Sequence, residues 1–262
     1  MGEGLPAGLA AARGLRARPG KGPKPGLTLQ RIVAAGVKVA ATDGLGAVSM
    51  GRVANELGAA TMSLYRYVNA KGELLGLMVD AALGRPPDPP PDEDWRTGLS
   101  RFARTYLALL REHPWIVRVP IDAPPATPNQ IAWLDHGLST LGGTGLLEHE
   151  KLSTIIMLSG MVRSWALLTA DIDAAAQAAG DTADEAMLGY GQLLARLVDP
   201  LRFPAVGRLI ASGTFDVPGG DPDEDFEFGL ARLLDGIDAL VRRRAETLSC
   251  DGPALPHPAV TR

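Results

Sequence analysis

Cysteine is nearly missing from this chain of 262 residues: Cys250 stands alone, in a Pro/Gly-rich tail. One thiol excludes an internal disulfide and a cysteine metal site, so a reducing, cytoplasmic setting is the expectation. Aromatics are scarce at 5%, and 46% hydrophobic against 21% charged residues is globular composition, which excludes wholesale disorder and fibrous repeats. The start, Met1-Gly2-Glu3-Gly4, lacks the positive region of a secretory signal, and Pro6 and Gly8 break the apolar patch that follows. The longest apolar run, Thr154 to Ala170, carries Arg163 near its middle and is short for a bilayer span, so it reads as a buried helix and no membrane is expected. Strand-like alternation is missing, as are repeats with a period of 20–50 residues.

Catalytic signatures are missing too. Leu141-Gly142-Gly143-Thr144-Gly145 lacks the lysine of a phosphate loop. Leu158-Ser159-Gly160 misses the spacing of a nucleophile elbow. His149-Glu150 has no second histidine at helical distance, so no metal is expected. The chain reads as a non-enzyme without a cofactor.

What is present is an uneven charge. Residues 1–85 hold 11 Lys/Arg against 5 Asp/Glu, and the remainder 15 against 25. A basic head on an acidic body suits a polyanionic partner. Residues 1–26, with seven Gly, four Pro and five Lys/Arg, read as a disordered basic arm. Residues 27–83 hold four helix patterns: one from the N-cap Thr28 to Asp43, one from the N-cap Ser49 to the stop at Gly58, one from Thr61 through Tyr67, and one from Lys71 to Leu83. Residues 84–93, crowded with proline, form a connector. Residues 94–246 carry apolar segments at helical period: Trp95–His113, Pro128–Leu141, Leu146–Ala170, Asp184–Val198 and Asp225–Ala245. Residues 247–262 read as a disordered tail. The fold class is all-α, with nine or ten helices in a small head and a larger body.

The informative stretch is SMGRVANELGAATMSLYRYVNAKGELL, Ser49 to Leu75. Two short helices joined by a tight glycine turn make a helix-turn-helix, whose second helix enters the major groove. Ala54 and Gly58 let the helices approach, and Val53, Leu57 and Leu64 join them. Ala54-x-x-Leu57-Gly58-x5-Leu64-Tyr65-x-Tyr67-x3-Lys71-x2-Leu74-Leu75 resembles the signature of tetracycline-repressor (TetR) family regulators over residues 27–82. More loosely, Trp95–Arg104, His113-Pro114-Trp115, Phe203-Pro204 and Asp225–Leu230 resemble the C-terminal ligand-binding region of the tetracycline-repressor-like subgroup.

The resemblance implies an all-helical homodimer that binds a double-stranded DNA operator and a small-molecule effector. It places base reading on Thr61, Met62 and Ser63, phosphate contacts on Tyr65, Tyr67 and Lys71, and further contacts on Thr28, Ser49 and Arg52. Met62 is apolar and touches at most a thymine methyl, which leaves Arg52 as the candidate for guanine.

In the body, Trp115, Trp133, His136, Met157, Met161, Arg163 and Trp165 are candidates to line one effector cavity, since apolar walls with few polar anchors suit a small molecule. Each is also an ordinary core residue in type, and Arg163 has two readings, a structural ion pair or an effector anchor. Phe226, Leu230, Leu233, Leu234, Ile237, Leu240 and Val241 form a stripe on the last helix. In a monomer it faces the core; the resemblance makes it a dimer interface, extended by Leu158, with Arg242-Arg243-Arg244 in the last turn complementing the helix dipole. The function expected is a ligand-responsive repressor released from DNA by its effector; the alternatives are an activator, a ligand-independent DNA-binding factor or a helical small-molecule-binding protein.

Overall fold

The computed structural model describes residues 26–121, 124, 126–216 and 223–250, with side chains through Glu246. Among them are ten α-helices and no strand: α1 (Leu29–Asp43), α2 (Met50–Glu56), α3 (Thr61–Leu64), α4 (Lys71–Leu83), α5 (Trp95–Glu112), α6 (Pro128–Thr140), α7 (Glu148–Ala179), α8 (Ala183–Leu197), α9 (Pro204–Ala211) and α10 (Glu224–Cys250). The expected basic arm, Gly26 apart, and residues 251–262 of the expected tail lie outside the described residues.

Helices α1–α4 form the head. Thr28 Oγ1 caps α1 by accepting from the Arg31 N–H, and Ser49 Oγ caps α2 by accepting from the Arg52 N–H. Helix α2 ends in a Schellman turn: the Ala59 N–H donates to Ala54 O at 2.9 Å and the Gly58 N–H to Asn55 O at 3.1 Å. Gly58 sits at φ +62°, a left-handed conformation that costs a side chain about 1–2 kcal/mol. The apolar stripes of α1 and α4 close on each other over Ile32, Val39, Leu74 and Met78, all buried. The helices touch at Gly36, where a Cβ would lie 2.7 Å from Met78 Sδ.

Residues 84–94 carry no helix, and Asp94 then caps α5 by accepting from the Arg96 and Thr97 N–H groups. Helix α5 lays Leu99, Phe102, Leu107 and Leu110 against the body core. Helix α7 is 32 residues long and runs nine residues past the expected end at Ala170. It is long and apolar enough to cross a membrane, with only 22% of its most apolar stretch buried inside the protomer, so it is not the buried helix its sequence suggested. Helix α9 has no counterpart among the expected helices: its eight residues are too few for a period to show.

Helix α10 runs through Cys250, four residues into the expected tail, so Arg242–Arg244 lie inside the helix and do not complement its C-terminal dipole. Arg244 pairs with Glu150 of α7 and Arg242 with Asp238. Toward α5, Arg104 grips Glu227 through two bonds of 2.6 and 2.7 Å, Arg111 grips Asp223, and Arg96 reaches Asp235. Hydrogen bonds from these arginines hold Glu227, Asp223 and Glu150 below the usual carboxylate range; Arg232 first and Arg96 second do the same for Asp235. Because the folded values are depressed, the stabilisation is complete above the usual carboxylate range and is lost as pH falls through the folded values. The melting temperature is therefore expected to be level near neutrality and to fall below about pH 4, a fall that Glu227→Gln makes shallower; circular dichroism melts across pH check this.

Candidate nucleic-acid interface and effector cavity

The head presents its second short helix outward. Met62 is 75% exposed and Tyr65 42% exposed, beside half-buried Thr61 and Ser63. Helix α3 stops at Leu64, earlier than the pattern through Tyr67 suggested, and residues 65–67 continue as a turn closed by the Tyr67 N–H donating to Leu64 O at 2.9 Å. That turn tucks Tyr67 against the head core and leaves Tyr65 free to reach out. Lys71 opens α4 and is exposed. Arg66, between the two tyrosines, is exposed, and like Lys71 it has no ion-pair partner among the described residues. It escaped the sequence reading, although a cation in the segment after the recognition helix was the available signal. Within ten residues the helix-turn-helix thus exposes one apolar surface, one phenol and two cations without an ion-pair partner among the described residues, groups that suit a duplex.

Arg52 sits differently. Its Nε and Nη2 donate to Asp43 Oδ2 at 3.2 and 2.9 Å, and its Nη1 donates to Glu56 Oε2 at 2.9 Å. Lys38 also donates to Glu56, at 2.6 Å; Lys38 and then Arg52 hold the Glu56 carboxyl below its usual range. In the free protein the guanidinium is a strut tying α2 to the end of α1, so the expected guanine contact requires it to leave two carboxylates. Thr28 and Ser49 are exposed, with their hydroxyls engaged as caps.

Of the seven body candidates, two open on separate clefts, His136 on one and Trp115 on the other. Trp133 and His136 of α6 stand with Phe102 and Tyr106 of α5 in an aromatic cluster, with Phe102 edge-on to Trp133 at 5.3 Å and near-parallel to His136 at 6.2 Å. Burial, and then the neighbouring Arg101, push the His136 imidazole below its usual range, which favours its neutral form. His136 opens on a cleft of about 420 Å³ lined also by Pro89, Pro90, Glu93, Trp95 and Thr140. Trp115 is elsewhere, on the floor of a cleft of about 320 Å³ between the end of α1 and the body. Neither cleft is lined by Trp133, Met157, Met161, Arg163 or Trp165. Met157 is half exposed, and Trp165 lies against Phe226, 6.3 Å between rings.

Arg163 has no acidic partner among the described residues. Its Nη2 donates a single long bond, 3.5 Å, to Val117 O. The indole N–H groups of Trp115 and Trp165 are buried without a partner among the described residues. The body thus holds several donors in search of acceptors.

The stripe on the last helix is largely taken up by the protomer's own core. Leu158, Leu230, Leu234 and Ile237 are buried in the protomer's own core, at most 4% exposed, and Leu233 and Val241 are partly covered by it. The outward face of α7 instead reads Leu152, Ile156, Gly160, Ser164 and Leu168, an unbroken four-residue spacing, and α10 adds Phe228, 64% exposed. The alternation of the two faces on one helix explains the difference: both are apolar, and sequence alone does not say which the protomer keeps.

Comparison with known proteins follows the same division. Residues 86–241 match the tetracyclin repressor-like C-terminal domain. The chain is 41% identical over 230 residues, 87% of its length and 83% of the relative's, to the HTH-type transcriptional repressor DrrR1 of Streptomyces coeruleorubidus. It is 29% identical over 219 residues, 82% of its own length and 86% of the relative's, to an HTH-type transcriptional regulator of Saccharopolyspora erythraea. Among solved structures it resembles the Streptomyces coelicolor TetR family protein ActR in complex with actinorhodin, with TM-score 0.68 and 28% identity over 82% of this chain and 97% of that one. The exposed helix-turn-helix face, the all-helical body and these likenesses together place the chain in the TetR family of transcriptional regulators.

Proposed function

We propose that the chain is a transcriptional repressor that grips a palindromic DNA operator as a cytoplasmic homodimer and releases it when the body takes up a small aromatic effector. The observation that carries the reading is the joint exposure of Met62, Tyr65, Arg66 and Lys71 on the helix-turn-helix, with both cations unpaired among the described residues. Thr61, Met62 and Ser63 read bases; Tyr65, Arg66 and Lys71 meet phosphates, with Tyr67 bracing the turn behind them. Arg52 exchanges its bonds to Asp43 and Glu56 for a base edge when the duplex arrives.

Dimerisation is supported by the outward apolar face of α7 and α10, which a monomer would leave in water. Its two smallest members, Gly160 and Ser164, allow a second copy of α7 to come close. The effector reading is supported by the aromatic cluster of α5 and α6 and by Arg163, whose guanidinium has no acidic partner among the described residues and suits an acceptor-bearing ligand. ActR, at 28% identity, holds actinorhodin in the same fold, which makes that compound the first to titrate.

Three outcomes test this reading. Arg66→Ala and Lys71→Ala should each weaken every duplex alike and lower the salt slope by about 1, whereas Thr61→Ala or Met62→Ala should reorder preference among sequences; fluorescence anisotropy at several salt concentrations separates the two classes. Ile156→Arg should turn the dimer into monomers in sedimentation and abolish tight operator binding; a dimer that survives it would move the interface elsewhere. Arg163→Ala strands no carboxylate among the described residues, so it should keep its melting temperature while losing release from DNA by effector; actinorhodin is the first probe, and a collapse in stability would count against an anchoring role.

A further inference from the structure

Asp80 lies where the head meets the body. It belongs to α4, is 8% exposed, and its Oδ1 accepts from the backbone N–H groups of Asn129 at 2.8 Å and Gln130 at 3.2 Å. These are the second and third residues of α6. The Asn129 side chain answers by donating to Asp80 O at 2.9 Å and to Oδ2 at 3.3 Å. A helix start leaves its first N–H groups without partners, and a negative charge is favoured there. Such groups are ordinarily satisfied by a neighbour in sequence, as by Thr28, Ser49, Asp94 and Thr182 in this chain. At α6 a local capping residue is present but turned away: the Thr127 hydroxyl donates to Gln130 Oε1 at 2.7 Å and caps nothing. The cap is supplied across the domain boundary.

A second bond lies one turn further along. Trp133 Nε1 donates to Gly84 O, at the end of α4, at 3.1 Å. The Trp133 ring stands 5.7 Å from Tyr106 and 6.5 Å from His136, inside the aromatic cluster. One side chain therefore touches both the cluster offered to an effector and the last backbone carbonyl of the reading head. Sliding α6 by an ångström stretches the Asp80 and Gly84 bonds together, and leaving buried N–H groups unpaired is costly, so α4 follows α6. The remaining covalent route between the two parts, residues 84–94, has no helix or strand to transmit a displacement.

We propose that Asp80 is a positioning residue, with the Trp133–Gly84 bond as its companion: a latch that ties the first turn of α6 to α4 and so converts a change in the body into a change in the spacing of the recognition helices. The latch rests on the reading of the chain as a DNA-binding regulator, and it works in both directions, since coupling between sites is reciprocal. A bound duplex must be felt at Asn129 and Gln130.

The test uses the full chain and a duplex selected from a random pool by the protein itself, with amide exchange measured residue by residue in α6. In the natural protein, duplex binding should change exchange at Asn129 and Gln130 by about fivefold or more. Asp80→Ala should erase that response while duplex affinity stays within about twofold, and Asp80→Asn, which keeps an acceptor oxygen, should restore most of it. Trp133→Phe keeps the ring and the fold and should reduce the response by at least half; it decides the matter if Asp80→Ala proves unstable. A response equal to the natural protein's in both Asp80→Ala and Trp133→Phe, or none in the natural protein with duplex bound, overturns the latch and leaves the regulator reading standing. Failure to select any duplex overturns both.

Discussion

Helix α4 is packed on two sides at once, and the rest of the molecule is arranged around that constraint. One face, with Leu74 and Met78, is buried against α1 and completes the head; the other, with Asp80 and the carbonyl of Gly84, is bonded to α6 of the body. A helix gripped from both sides cannot tilt without disturbing one of its partners. The head's core is close-packed at the Gly36–Met78 contact, so the head moves with α4 as a unit. On the proposed latch, the angle at which the body holds that unit is the variable that sets the spacing of the recognition helices.

The second constraint is apolar surface. Helix α7 has two apolar faces, and the protomer buries one of them through Leu158, Val162 and Ala166. Leu152, Ile156 and Leu168 remain outside, together with Phe228 of α10. Charge pairs at α10, from Arg104–Glu227 to Arg244–Glu150, fix that helix against α5 and α7 and so fix the geometry of the exposed face. Such pairs are partly exposed and contribute little stability each; their effect here is orientation. A two-fold pairing over this face would hold two reading heads at a set distance, and the effector-responsive body lies between face and head.

The head was legible in the sequence because its signals are local. Thr28 and Ser49 cap the helices whose starts they mark, the Gly58 turn is where glycine placed it, and Ala54 and Leu64 are both fully buried in the head. The site residues were less so. Arg52 looked free because Asp43 reaches it only when α1 and α2 fold together, although Glu56, one turn ahead on the same helix, was a legible partner. Leu158 and Ile156 are equally apolar, so which faces the partner depends on where α5 and α10 settle. Asp80 gave no signal because its role lies in bonds to residues 49 and 50 positions away. Local chemistry set the elements, while long-range pairing set which side chains were left free to act.

The most direct test of the account is to let the purified protein choose from fragments of its source genome and to read what it holds. Two recognition helices related by a two-fold axis should enrich fragments sharing an inverted repeat, with half-site centres about 34–36 Å apart or at a longer span where the duplex bends. Enrichment of fragments with a single, unrepeated half-site, or with no shared sequence, would contradict a dimeric operator-reading regulator.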